Sequence, residues 1–124
     1  MVGVAFADVN GLKTVNDNQG HLEGDKLIVR AANLLKDSLE KGEVFRISGD
    51  EFVCIIKDVK NDEFEGIMGK VSEAIKANDR IMSLGFAIGE GEKIIETVKS
   101  AEQMMYCDKE QYYKETGKDR RKRS

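Results

Sequence analysis

Residues 45–56 read Phe-Arg-Ile-Ser-Gly-Asp-Glu-Phe-Val-Cys-Ile-Ile, so a short polar segment separates two apolar runs. The runs predict two strands, and the segment between them is typical of a hairpin connection. Asp and Gly are common in tight turns for conformational reasons alone. The adjacent carboxylates of Asp50 and Glu51 are therefore either ordinary turn residues or part of a site, and the rest of the fold decides between the two.

The segments on either side of the hairpin alternate between strand and helix patterns. Residues 9–24, rich in Asn, Asp and Gly, predict a loop, and Asn61 is expected to cap a helix. Strands are expected at 2–7, 43–47, 52–56 and 81–88, and helices at 25–41, 61–75 and from 94 to at least 109. The order β-α-β-β-α-β-α predicts an α+β fold of the split β-α-β type, ferredoxin-like or nucleotide-cyclase-like, with helices packed on an antiparallel sheet.

Composition limits the class of protein. The chain has 124 residues, 40% hydrophobic and 35% charged, with a net charge of −3. This size suits one domain, and the negative charge argues against nucleic acid as a partner. The longest apolar runs are far shorter than the ~20 residues needed to span a bilayer, and no signal peptide is evident, so we expect a cytoplasmic domain without membrane contact. Residues 118–124 are expected to be a solvated basic tail beyond a domain at 1–117.

In a split β-α-β sheet the first two strands are parallel, and the third lies antiparallel between them. The carboxyl end of the first strand and the hairpin then share one rim, so Asp8 is expected to meet Asp50 and Glu51. Three carboxylates repel one another unless a cation or a proton offsets their charge. Because oxygen ligands favour Mg²⁺ or Mn²⁺, the sequence predicts a divalent metal site at this rim.

The same rim is expected to hold groups that bind phosphate. Backbone N–H groups around Gly11 and the N-terminus of the first long helix can receive phosphate oxygens. Lys13 adds a positive charge nearby. Lys109 lies about 22 Å along the last helix, which begins at the opposite rim, so its side chain is expected to return to this one. Taken singly, each of these residues is more often a capping, turn or surface residue.

Several spaced motifs occur together in this order: Asp8-Val9-Asn10-Gly11-Leu12-Lys13, Val15-Asn16-Asp17, Gly20-His21, Gly24-Asp25, Ser48-Gly49-Asp50-Glu51-Phe52, Ser83-Leu84-Gly85 and Met105-Tyr106 to Lys109. Jointly they resemble the GGDEF domains of bacterial diguanylate cyclases. The similarity runs from about Val4 to Lys109. It implies a nucleotidyltransferase that binds GTP with Mg²⁺ or Mn²⁺ and, as a homodimer, joins two GTP molecules into cyclic di-GMP with release of pyrophosphate.

The resemblance also implies roles for individual residues. The catalytic pair is Asp50 and Glu51, with Glu51 either contacting a second metal ion or deprotonating the attacking 3′-hydroxyl. The implied metal ligands are Asp8, the Val9 carbonyl, Asp50 and Glu51; the implied guanine-binding residues are Asn16 and Asp25; and the implied phosphate-binding residues are Gly11, Leu12, Lys13 and Lys109. An Asp carboxylate can accept hydrogen bonds from guanine N1–H and its 2-amino group, which adenine cannot supply in the same way.

The chain departs from the family pattern in four places. Ser48 stands where the family most often has glycine, and Tyr113 where it often has a second basic residue. The inhibitory product site, R-x-x-D, would fall on Leu-Glu-Lys-Gly at 39–42, so no such site is expected. Family domains usually begin one helix earlier, so we expect the chain to lack that helix, and to have sensory or receiver domains beside it in a full-length protein.

Two other functions stay open. Ser48 and Tyr113 favour a catalytically degenerate GGDEF domain that binds GTP and regulates a partner domain. The split β-α-β pattern is also found in single-stranded RNA modules, which carry aromatic stacking residues on the third strand. Here that strand offers only Phe52, which disfavours RNA binding.

Overall fold

The computed structural model describes residues 1–117, and the predicted basic tail at 118–124 lies outside the described residues. The strands are β1 (Val2–Val9), β2 (Glu43–Ser48), β3 (Glu51–Ile56) and β4 (Met82–Gly89). The helices are α1 (Leu12–Gln19), α2 (His21–Ser38), α3 (Asn61–Ala77) and α4 (Ile94–Thr116), with a 3₁₀ turn at Gly91–Lys93 before α4.

The four strands form one antiparallel sheet in the order β2-β3-β1-β4. The first strand is therefore central, with β3 on one side and β4 on the other. The register pairs Asp8 with Glu51 of β3 and with Ser83 of β4. The α+β class and the split arrangement are confirmed, and the β2–β3 hairpin lies at the carboxyl end of β1.

Helices cover the two faces of the sheet unequally. On one face α2 and α3 contribute Leu35, Phe64 and Met68 to the main core, where the Phe64 ring meets Phe86 of β4 edge-on at 5.9 Å. On the other face α4 packs along β4 and β1. A smaller cluster forms there from Val4, Phe6, Val53, Ala101 and Met105.

The β2 side of the α4 face has less cover. Phe45 pairs with Val53, so the two side chains share this face. Phe45 is nevertheless 43% exposed, and Ile47 further along the same strand is 52% exposed. The outer strand of the sheet thus presents apolar side chains to solvent.

Three local predictions were wrong. The expected loop at 9–24 contains the eight-residue helix α1, and the long helix begins at His21 rather than Asp25. No residue of α1 is fully buried, but Leu12 packs against the main core and α1 contacts α2, so tertiary contacts stabilise a segment with turn-like composition. Asn61 is the first residue of α3 rather than its cap, because the extended residue before the helix is Lys60.

No helix within residues 1–117 combines the length and the apolar character needed to cross a membrane. The longest, α4, has 23 residues and carries charged side chains along its length.

Candidate active site at the β1 rim

Three carboxylates meet where β1 ends. Asp8 is the penultimate residue of β1, and Asp50 and Glu51 lie at the turn and the start of β3. The Val9 N–H donates to the Asp50 carbonyl oxygen at 2.9 Å, which fixes the turn against the end of β1. Ligand oxygens of the three side chains all lie within 4.8 Å of one another. The structure therefore brings these residues together, at a spacing one cation can bridge.

A lysine already contacts this cluster. The Lys109 Nζ donates to Asp8 Oδ1 at 2.5 Å, across 101 positions of sequence. Both side chains are buried, with 10% and 7% of their surfaces exposed. As expected from the length of α4, its lysine returns to this rim. In the structure, Lys109 contacts one of the three carboxylates that are proposed to bind the metal ion.

The environment of Asp8 changes its acidity. Burial raises the pKa of Asp8 from its ordinary 3.8 to about 6. The hydrogen bond and charge of Lys109 oppose this rise, whereas the neighbouring carboxylates of Asp50 and Glu51 add to it. Within residues 1–117 three carboxylates share one lysine contact at this cluster, an excess of acidic groups that suits a cation.

The hairpin turn is held by its own side chains. Arg46 donates from Nε and Nη2 to the Gly49 carbonyl oxygen at 3.2 and 2.8 Å. The Ser48 hydroxyl donates to Glu51 Oε1 at 2.9 Å. Ser48 thus restrains one oxygen of Glu51, a contact that a glycine could not make.

The segment after Asp8 is fixed by a buried polar network. The Asn10 side chain donates through Nδ2 to the Arg80 carbonyl at 2.8 Å and accepts from the Ser83 hydroxyl at 2.7 Å. The next residue, Gly11, donates its N–H to the Tyr113 hydroxyl at 3.1 Å. The loop that follows β1 is therefore held by both the α3–β4 turn and the end of α4.

The residues implied in guanine binding lie on the helices that follow this loop. Asn16 on α1 packs against α2 at Gly24, where an added Cβ would come within 1.7 Å of Asn16 Oδ1. A larger residue at this position would force the Asn16 side chain to move. Asp25 follows directly on α2 and is exposed. An amide and an exposed carboxylate thus flank the α1–α2 contact.

The remaining predicted residues occupy different surroundings. Leu12 begins α1 and is partly buried against the core. Lys13 points to solvent, 64% exposed, and pairs with Asp17 at 2.9 Å. Its ammonium group is thus held by a neighbouring carboxylate on the same helix rather than at the acidic cluster. Phe52 is 2% exposed, so its ring lies in the core rather than on a stacking surface.

A family model described as "Diguanylate cyclase, GGDEF domain" matches residues 1–115. The chain belongs to the GGDEF domain family. Its fold agrees with the GGDEF domain of YfiN (TpbB) from Pseudomonas aeruginosa, at 25% identity and a TM-score of 0.73, covering 89% of this chain and 76% of that one.

Relatives of this GGDEF domain are larger signalling proteins. Signaling protein YkoW of Bacillus subtilis is 33% identical over 120 residues, which cover 86% of this chain and 15% of YkoW. The probable diguanylate cyclase DgcI of Escherichia coli is 35% identical over 66 residues, covering 52% of this chain and 15% of DgcI. The match thus spans about 15% of the length of these relatives. Other relatives are named as diguanylate cyclases or as cyclic di-GMP phosphodiesterases.

Asn10 and Ser83 stand in the quoted motifs and Tyr113 at a departure from the family pattern, but the contacts of these three residues were not predicted from the sequence. Asn10 and Ser83 form the buried bond behind the loop, and Tyr113 reaches Gly11 from α4. One signal for Tyr113 was available, because it lies four residues after Lys109 and therefore on the same side of the helix. No comparable pattern links Asn10 to Ser83, 73 positions apart.

Proposed function

We propose that this GGDEF domain is the catalytic domain of a diguanylate cyclase, which condenses two GTP molecules into cyclic di-GMP and releases pyrophosphate. The observation that carries the proposal is the convergence of Asp8, Asp50 and Glu51 within 4.8 Å at the end of β1. Membership of the family supports it, as does the presence of diguanylate cyclases among the relatives.

The acidic cluster fits a divalent cation. Its donors are carboxylate oxygens, the ligands that Mg²⁺ and Mn²⁺ prefer, and the Val9 backbone carbonyl is the additional ligand that we propose. When bound, the cation supplies charge neutralisation at the reacting phosphate. In this proposal Asp8 and Asp50 hold it, while Glu51 either contacts a second ion or accepts the proton of the attacking 3′-hydroxyl.

The other residues bind and orient the nucleotide. Asn16 and Asp25 recognise the guanine edge, and the Gly11 and Leu12 backbone with Lys13 and Lys109 binds the phosphates. Phosphoryl-type transfer needs placement and charge compensation more than a covalent nucleophile, so this set is sufficient for the chemistry. Because each domain holds one GTP, two domains must face each other, and we propose a homodimer.

The location of the domain and its regulation follow from this proposal. GTP is an intracellular substrate, so the domain works in the cytoplasm. Since the relatives are several times longer than the match, we propose that sensory or receiver domains control it in a full-length protein.

The test is a GTP turnover assay read by mass spectrometry. Protein fused to a dimeric coiled coil is expected to form cyclic di-GMP with Mg²⁺, and Asp50→Asn to reduce the rate about a hundredfold or more. Asp50→Asn keeps the backbone carbonyl that accepts from Val9, so the turn is retained. Absence of product from the enforced dimer, or equal rates for the two proteins, would overturn the proposal.

A second candidate is a degenerate GGDEF domain that binds GTP and regulates a partner domain. The observation that favours it is the Ser48 hydroxyl on Glu51 Oε1, which occupies an oxygen that the reaction needs. Calorimetry that detects GTP binding in the same enforced dimer, with no product in the assay, distinguishes this candidate. If Ser48→Gly then restores turnover, the hydroxyl is identified as the cause.

A further inference from the structure

The peptide group between Val9 and Asn10 has a fixed orientation. Its N–H donates to the Ile81 carbonyl oxygen at 2.9 Å, on the β4 side of β1. Because a trans peptide is planar, its C=O points away from β4 and towards the hairpin, the side on which the Val9 N–H donates to Asp50. The direction of the Val9 carbonyl, the additional metal ligand of the proposed function, therefore depends on what holds Asn10.

The Asn10 side chain adds two hydrogen bonds to the same neighbouring segment. Its Nδ2 donates to the Arg80 carbonyl at 2.8 Å, and its Oδ1 accepts from the Ser83 hydroxyl at 2.7 Å. Asn10 is 6% exposed and Ser83 is completely buried. Hydrogen bonds in such surroundings are strong, because the local dielectric is low and water does not compete for them. The two ends of the amide have different partners, which fixes how the side chain is turned.

The turn that receives these bonds has an uncommon backbone conformation. Asp79 and Arg80 have φ angles of 57° and 51°, in the left-handed region that residues other than glycine seldom adopt. Such conformations persist only where the surrounding structure holds them, and they are concentrated at functional sites. The Arg80 carbonyl is held by Asn10, so the turn before β4 and the loop after β1 stabilise each other.

We propose that Asn10 and Ser83 are positioning residues of the metal site, which keep the Val9 carbonyl directed towards the acidic cluster. This inference rests on the proposed function and assigns a role to two buried residues that its residue set lacks. In this role neither side chain contacts the cation. Ser83 fixes the amide of Asn10, and Asn10 fixes the peptide group that carries the Val9 carbonyl. A ligand that is directed in advance loses little conformational entropy when the cation binds.

Ser83→Ala tests this role by removing one oxygen atom. It leaves Asn10 Oδ1 without its donor, and Asn10→Ala removes both side-chain hydrogen bonds. We expect the affinity of the 124-residue chain for Mn²⁺, measured by calorimetry without nucleotide, to fall about tenfold in Ser83→Ala and more in Asn10→Ala. Losses of this size are usual when a residue that orients a metal ligand is removed.

The ¹³C NMR resonance of the Val9 carbonyl is the measurement specific to this role. In the parent protein it is expected to shift when Mg²⁺ is added, because the carbonyl becomes a ligand. In metal-free protein it is expected to differ between Ser83→Ala and the parent, since the direction of the carbonyl is then less restricted. The first of these measurements needs no variant, so it decides even if a substitution prevents folding.

Thr97→Val is the matched control, because it also removes a buried hydroxyl from a hydrogen bond. The Thr97 hydroxyl donates to the Lys93 carbonyl at 3.2 Å, and the residue is 6% exposed. It lies at the opposite end of the sheet, beside Gly89, which pairs with Val2 at the start of β1. Its Mn²⁺ affinity and its Val9 carbonyl resonance are expected to equal those of the parent. Urea denaturation compares the free energies of unfolding of the variants.

The outcomes separate the two proposals. If the parent protein binds no Mn²⁺, the proposed function and this inference both fail. If the parent binds Mn²⁺ but the Val9 resonance does not respond to Mg²⁺, or if Ser83→Ala and Asn10→Ala bind Mn²⁺ as the parent does, only this inference fails. An equal loss of affinity in Thr97→Val also contradicts it, because general destabilisation then explains the effect. Weakened Mn²⁺ binding in the two variants, in a protein that forms no cyclic di-GMP, overturns the proposed function alone.

Discussion

The Asp8 carboxyl lies between a lysine that favours its charged form and a buried setting that opposes it. Burial raises the pKa of Asp8 to about 6, and without Lys109 the counteracting hydrogen bond and charge are lost. In metal-free protein we expect Lys109→Met to raise this pKa further. A ¹³C NMR titration of the Asp8 carboxyl measures it in both proteins, and an unchanged or lower value in the variant contradicts the expectation.

The same shift has a defined effect on stability. The folded pKa of Asp8 exceeds its ordinary value of 3.8, so the folded state binds this proton more tightly than the unfolded state does. The stabilisation from this group is complete below pH 3.8. It is lost as the pH rises towards about 6 in metal-free protein. At neutral pH the Asp8 carboxyl therefore no longer contributes this stabilisation to the folded state.

The contact between β4 and α4 depends on one glycine. A Cβ added at Gly85 would lie 2.1 Å from the Met105 backbone nitrogen and 2.2 Å from the Ala101 carbonyl oxygen. Backbone atoms cannot move aside as a flexible side chain can, so α4 must shift away from the sheet. We expect Gly85→Ala to lower the free energy of unfolding by roughly 1–3 kcal/mol or more in urea denaturation.

The control for this prediction is Gly66→Ala in α3. A Cβ at Gly66 meets nothing within 4 Å, and this residue lies on the exposed side of α3. Alanine is a better helix former, so this variant is expected to gain about 0.5–1 kcal/mol. Equal effects of the two substitutions would show that helix α4 does not require the glycine.

Helices and strands with a strong periodic pattern could be predicted from the sequence. Short elements, and contacts between residues far apart in the sequence, could not. The hairpin and the position of β3 between β1 and β2 followed from strand order and chirality, and this placed Asp8 beside Asp50, whereas the pairing of β4 with the other edge of β1 was not predicted. Helix α1 was missed because its Asn and Asp residues favour turns, and its stability comes from contacts with α2. The bond between Gly11 and Tyr113 joins residues 102 positions apart, which no local pattern encodes.

Divalent cations are expected to stabilise the whole folded chain. The acidic cluster joins β1 to the hairpin, so an ion that binds there binds the folded state only. A hundredfold excess of Mn²⁺ over its dissociation constant adds about 2.7 kcal/mol, enough to raise the thermal midpoint by roughly 10 °C.

Two variants identify the site responsible for this rise in the thermal midpoint. Asp50→Asn is expected to remove most of the shift, whereas Asp37→Asn, an exposed carboxylate on α2, leaves it intact. Differential scanning fluorimetry with and without EDTA measures both. An equal shift in Asp50→Asn assigns the effect to another site.

The central position of β1 also determines when the molecule can finish folding. Of the four strands, β1 is synthesised first, yet its partners are Glu51–Ile56 on one side and Met82–Gly89 on the other. One edge of β1 therefore stays unpaired until β4 is synthesised, and Lys109 and Tyr113 emerge later still. Loop-closure entropy slows such non-local pairing. The α4 side of the site is therefore added last, so a ligand that needs Lys109 binds only after the chain has been synthesised and folded through α4.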